Sequence, residues 1–138
     1  MLIKGRKLNK GEWAEFYVML RLLGQGRLYA ANELLQKKYR SYLDVLKIIR
    51  QECPERVLEY VIDKDKQIVT VTPQNSDVIL ASIPTEEFDR IATELFYGIR
   101  DLRGRSIEAP DAVCDFARVI YVDSPKAPAV RALSLIHI

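Results

Sequence analysis

Asn9-Lys10-Gly11-Glu12-Trp13-Ala14-Glu15-Phe16-Tyr17-Val18-Met19-Leu20-Arg21-Leu22-Leu23-Gly24-Gln25-Gly26 is the stretch on which the fold turns. Asn9 offers an N-cap oxygen and the Glu12 carboxylate can accept the Asn9 backbone N–H, so the pair has the form of a capping box. With Gly24 and Gly26 as stops, the pattern predicts a helix over 9–23. At about 100° per residue, Trp13, Phe16, Tyr17, Leu20 and Leu23 fall on one stripe, and Ala14, Val18 and Leu22 on another. Only Glu12, Glu15 and Arg21 interrupt the apolar surface of its interior. A helix apolar almost all round is expected inside something larger.

Downstream the period changes. Leu28 to Ala31 is extended, and after a polar turn Tyr42 to Ile49 reads as a β-rich run interrupted early by Asp44. Val57 to Ile62 and Gln67 to Thr72 predict a β-hairpin closed by Asp63-Lys64-Asp65-Lys66, and Val78 to Ile83 predicts a third strand. The Asp63 turn lacks the Gly and the final Glu of a calcium loop, so it reads as a solvated turn. Thr85 can cap a helix whose Phe88, Ile91, Leu95 and Ile99 share a face. Pro110 suits a first helical position before a short helix over 112–120. A helix, a small antiparallel sheet and then two helices make an α+β class.

The 138 residues suffice for one domain with a core. Hydrophobic residues at 49% and charged residues at 29% fit a globular chain rather than a disordered one. No apolar run approaches the roughly 20 residues of a membrane span, so no membrane partner is expected. The opening Met1-Leu2-Ile3-Lys4 has no long apolar segment or small-residue cleavage site, and Cys53 and Cys114 stand far apart. Reduced thiols and a cytoplasmic location are therefore expected. A net charge of +2 alone does not call for a polyanion, but the cations are grouped. Lys4, Arg6, Lys7 and Lys10 form one group, Lys37, Lys38 and Arg40 a second, and Arg100, Arg103 and Arg105 around Gly104 a third. Each is either a solvated surface or a set of phosphate contacts.

Leu133-Ser134-Leu135-Ile136-His137-Ile138 is the translation of CTG TCT CTT ATA CAC ATC, the end of a transposase adapter used in sequencing libraries. Residues 1–132 are accordingly read as the N-terminal part of a domain that continues, and 133–138 as foreign to it. The chain's single His lies in that tail, which removes histidine chemistry. Gly24-x-Gly26 lacks the further glycine of a phosphate loop.

The segment 9–17, together with Leu22-Leu23-Gly24-Gln25-Gly26-Arg27-Leu28-Tyr29-Ala30-Ala31-Asn32-Glu33, resembles the N-terminus of the HpaII family of type II restriction endonucleases. Leu46 to Arg50, the following hairpin, and the distal helix with Phe116 and Tyr121 are similar too. The resemblance implies a fragment of a restriction-endonuclease-like fold. It further implies Mg²⁺-dependent cleavage of short double-stranded DNA sites by a PD-(D/E)XK nuclease. It places the catalytic Asp on a strand starting just after residue 130 and the Lys on the next, so this chain itself is expected to be inactive. A cognate DNA methyltransferase is expected alongside, and a homodimer is compatible.

Within the chain Glu15 is the candidate catalytic and metal-binding residue. Its neighbours three, four and seven residues on are Val18, Met19 and Leu22, so its carboxylate is expected to leave an apolar face, where it needs a cation or donors. Gly11 followed four residues later by an acid also resembles the first helix of many PD-(D/E)XK nucleases. Glu12 is the alternative, since two carboxylates at this spacing can share a cation. Arg100, Arg103 and Arg105, and then Lys37, Lys38 and Arg40, are the candidate DNA contacts. A DNA-binding module without chemistry and a protein-interaction domain are the competing readings. A downstream Asp followed by a strand ending in x-Lys would separate the nuclease from both.

Overall fold

In a computed structural model the backbone is described for residues 7–31, 34, 37–53, 55–101, 106–108, 110–122, 130–133 and 136–137. Side chains are described for 13–28, 34, 42–51, 55–100 and 110–122. The elements run β1 (Lys7–Asn9), α1 (Lys10–Gln25), β2 (Arg27–Ala31), β3 (Lys37–Val45), β4 (Lys47–Cys53), β5 (Arg56–Asp63) and β6 (Ile68–Pro73). They continue with β7 (Ala81–Pro84), α2 (Thr85–Asp101), β8 (Ser106–Glu108), α3 (Asp111–Val119), β9 (Val130–Leu133) and β10 (Ile136–His137). The class is α+β, as expected.

The central sheet has the order β7-β6-β5-β4-β9, and the strand pairs in it are antiparallel. Along β5 the side chains alternate as the period of two requires: Leu58, Tyr60 and Ile62 are buried. Ile48, Val69, Val71 and Ile83 join them, and α1, α2 and α3 contribute to the same core. Tyr60 is fully buried and its hydroxyl donates to the Ile120 carbonyl at 2.9 Å, so its polar tip is satisfied. Phe88 of α2 meets Phe116 of α3 edge-on, with ring centroids 5.0 Å apart.

The hairpin over β5 and β6 forms with Val61 opposite Thr70. Its turn is closed by the Asp63 carboxylate, which accepts the backbone N–H groups of Asp65 and Lys66. Phe88, Ile91 and Leu95 are buried along α2, with Ile99 packed against the same core.

Other expectations shift. The apolar run 42–49 splits at Leu46 into strands of two different sheets. The third strand begins at Ala81, leaving Val78 and Ile79 exposed. Pro110 occupies the N-cap of α3 rather than its first helical position. The α3 end closes with Tyr121 at φ 64 and the Val122 N–H on the Ala117 carbonyl, a Schellman arrangement with Tyr where Gly is usual. β9 and β10, which run into the segment read as adapter-derived, add to the edges of β4 and β3.

Along α1, Trp13, Phe16, Met19, Leu20 and Leu23 are buried, whereas Ala14 is exposed and Val18 is 52% exposed. Ala14 and Val18 of the second apolar stripe thus face solvent, while Leu22 packs partly against the core. The helix runs past Gly24 to Gln25 and ends at Gly26, whose φ of 70 and N–H on the Leu22 carbonyl make an αL cap. Gly24 has a different task. A Cβ there would lie 2.9 Å from the backbone nitrogen of Asp89 and 2.9 Å from its carboxylate. Gly24→Ala should therefore lower stability by about 1–3 kcal/mol, despite a helix-propensity gain of up to about 1 kcal/mol. Urea unfolding reads this directly; a stabilised variant would mean that α1 and α2 are not held this close.

Candidate functional site

Arg21 fastens α1 to α2. Its Nε donates to the Tyr17 hydroxyl at 2.9 Å, Nη1 to Asp89 Oδ1 at 2.8 Å and Nη2 to Thr93 Oγ1 at 3.2 Å. The Tyr17 hydroxyl and the Asp89 carboxylate raise the pKa of this guanidinium above its ordinary value, against the opposing effect of burial. Gly24 against Asp89, Arg21 against Asp89 and Thr93, and the Tyr17 ring 5.8 Å from that of Phe96 set the two helices antiparallel.

The same flank continues toward the start of α1. Phe96 meets Tyr97 at 5.6 Å in an edge contact, and the Arg100 guanidinium carbon lies 4.5 Å from the Tyr97 ring centroid. Asp89, Thr93, Phe96 and Arg100 follow spacings of three and four residues, which place them on one side of α2. Arg100 consequently stands at the end of the helix pair where α1 begins.

Strand pairing brings more charge to that end. β1 and β8 are antiparallel partners, with Lys7 opposite Glu108 and Asn9 opposite Ser106. Lys7, at the start of β1, and Lys10, at the start of α1, are thereby set beside the chain that follows Arg100. Of the first basic group the pairing places the backbone of Lys7, which stands opposite the acidic Glu108. Lys4, Arg6, Arg103 and Arg105 lie outside the described residues, although Asp101 and Ser106 on either side of the arginines are described.

The second group is on the β2–β3 hairpin. Lys37 and Lys38 open β3 and pair with Ala31 and Ala30, at the end of the β2–β3 hairpin remote from Gly26. The side chains of Lys37, Lys38 and Arg40 are outside the described set.

Glu15 is exposed. It sits about 200° around α1 from Tyr17, on the flank turned away from α2 and Arg100. The apolar surroundings expected from Val18 and Leu22 do not enclose it, since Val18 is itself half-exposed and Leu22 only partly buried. An exposed carboxylate is solvated by water, so burial does not oblige Glu15 to take a cation, contrary to the expectation. Glu12 is in α1, with its side chain outside the described set. Among the described residues no three His, Cys, Asp or Glu side chains gather as a metal site requires. These residues do not by themselves fit Mg²⁺.

A groove of about 560 Å³ lies at the opposite end of α1, between Gly24–Arg27, Lys64, Gln67 and the first turn of α2. Its charges are matched internally. Lys64 donates to Asp44 at 2.6 Å and to the Gly26 carbonyl at 2.9 Å, and Arg27 lies 3.9 Å from Asp44 and over the Tyr42 ring. With Glu86 and Asp89 also lining it, this groove is no cradle for an anion.

Sequence reading missed the aromatic residues that connect Arg21 to Arg100. Their only signal was spacing: Tyr97 precedes Arg100 by three residues, and Tyr17 precedes Arg21 by four.

A family model described as HpaII restriction endonuclease matches residues 9–131. The type II restriction enzyme HpaII of Haemophilus parainfluenzae is 28% identical over 110 residues, which cover 80% of this chain and 29% of that relative. No solved structure matches the chain.

Arg21→Lys tests the clasp. An ammonium retains the charge but not the fork that serves three acceptors. With both partners part-exposed, the loss should be about 1 kcal/mol. An unchanged melting temperature would show that the helix pair holds without it.

Proposed function

Because this chain belongs to the HpaII restriction endonuclease family, we propose that it forms part of a type II site-specific deoxyribonuclease acting on short double-stranded DNA sites. One observation supports the DNA-facing part of this reading: β1–β8 pairing joins Lys7–Asn9, within the first basic group, to Ser106–Glu108, the strand that follows the third in sequence. Two segments nearly a hundred residues apart in sequence then offer one positive edge to a phosphate backbone. Arg100, Arg103 and Arg105 are its main contacts, and guanidinium groups suit phosphate oxygens and guanine edges alike. Lys37, Lys38 and Arg40 form a separate, secondary contact on the β2–β3 hairpin.

Mg²⁺ is the cofactor of this reading, since a hard dication is held by carboxylates and activates water for phosphodiester hydrolysis. Glu15 is assigned to it, with Glu12 as the alternative. From its exposed position Glu15 needs further ligands from outside the described residues. These residues supply DNA contacts and one carboxylate, not a reaction sequence. Restriction further calls for a cytoplasmic enzyme and a cognate DNA methyltransferase that protects host DNA. A homodimer would match a two-fold symmetric site. No helix of the described structure is long and apolar enough to cross a membrane.

The chain should bind double-stranded DNA with an affinity that falls steeply as salt rises. Replacing Arg100, Arg103 and Arg105 together by Ala should flatten the salt slope by about one unit for each phosphate that is no longer neutralised. An unchanged slope and affinity would make the three arginines ordinary surface charge.

Glu15→Gln separates metal chemistry from folding. At an exposed site it should shift stability by less than about 0.5 kcal/mol. In the complete enzyme, cleavage should fall by orders of magnitude while metal-free DNA binding persists. Near-normal turnover would remove Glu15 from the metal site; loss of folding would make it structural.

A further inference from the structure

Two large aromatic side chains of α2 stand half in solvent, Phe96 at 43% and Tyr97 at 48% exposed. They are not scattered. The Arg21 guanidinium lies over the Tyr17 ring at 5.3 Å, Tyr17 packs on Phe96, Phe96 on Tyr97, and Tyr97 under Arg100 at 4.5 Å. This ladder is anchored at one end by the ion pair and hydrogen bonds of Arg21 with Asp89 and Thr93. Its other end is the exposed arginine that begins the third basic group.

An arginine at the end of a helix ordinarily samples many rotamers, and ordering it on a ligand costs rotamer entropy. Stacking restrains the guanidinium plane in advance. It uses the face of that plane, whereas phosphate recognition uses its in-plane N–H groups, so one guanidinium can serve both.

We propose that Tyr97 is a positioning residue: its ring, packed against Phe96, which in turn packs on Tyr17, preorients Arg100 for the phosphate backbone of double-stranded DNA. The proposal rests on the DNA-binding reading above and adds a role to a residue that bears no charge. Tyr97 acts through Arg100, not by touching DNA itself.

The test is a double-mutant cycle on the 138-residue chain, read by its affinity for a short DNA duplex of mixed sequence at low salt. Tyr97→Ala should weaken binding about three- to tenfold, the factor that corresponds to a cation–π contact. Tyr97→Leu should do the same, and serves if the Ala variant unfolds. Tyr97→Phe keeps the ring and should bind within about twofold of the parent. In an Arg100→Ala background, Tyr97→Ala should have no further effect, because the group it orients is gone. If Tyr97→Ala weakens both backgrounds equally, or weakens neither, the positioning role is overturned while the DNA-binding reading stands. If the parent chain binds no duplex at any salt concentration, that reading falls, and the proposal with it.

Discussion

The contact between the two long helices governs this structure, and Arg21 is its centre. A guanidinium presents donors in a fixed plane, and here that plane reaches a hydroxyl of its own helix and a carboxylate and a hydroxyl of α2. Charge alone would not settle the register of the pair, because a part-exposed ion pair contributes little. The fork and the missing Cβ of Gly24 do so together: one requires Asp89 and Thr93 at particular heights, the other lets the Asp89 backbone approach. Once that register is set, every fourth or third residue along α2 follows, which decides where Arg100 stands. A second constraint is the short β1–β8 pairing, which ties the chain before α1 to the chain after α2.

Much of the fold was legible in the sequence wherever a local period carried it. Phe88, Ile91, Leu95 and Ile99 predicted α2 because their spacing matches one helical face. The hairpin over β5 and β6 was legible from alternation flanking an Asp-rich turn. Features that depend on distant partners were not. The run 42–49 is continuous in composition, and nothing local says that the chain changes sheets at Leu46. Val78 and Ile79 are apolar yet precede the strand, since hydrophobicity does not oblige a loop residue to be buried. β1 and β8 have three residues each, too few for any period, and their partners are about a hundred residues apart.

The candidate site divides along the same line. The grouping of Arg100, Arg103 and Arg105 could be read from composition, but not the pairing of Lys7–Asn9 with Ser106–Glu108. Glu15 shows the opposite case. Its apolar sequence neighbours suggested an enclosed carboxylate, but a helix packed against a sheet on one side and a helix on one flank leaves the rest of its surface open. Val18 shares that open side, so an apolar neighbour three residues away does not imply a dry environment. Glu15 and Arg100 occupy the same end of the helix pair but opposite flanks of α1. Any ligand that meets both must span the width of that helix.

In the proposed DNA complex, β1–β8 pairing would make two remote basic segments act as one surface. Hydrogen–deuterium exchange on the chain, with and without a DNA duplex, reads this segment by segment. DNA should slow exchange in 7–10 and 100–108 together, at the same duplex concentration, and leave the groove around Lys64 and Glu86 unaffected. Slowing confined to 37–40, or present in only one of the two paired segments, would contradict that claim.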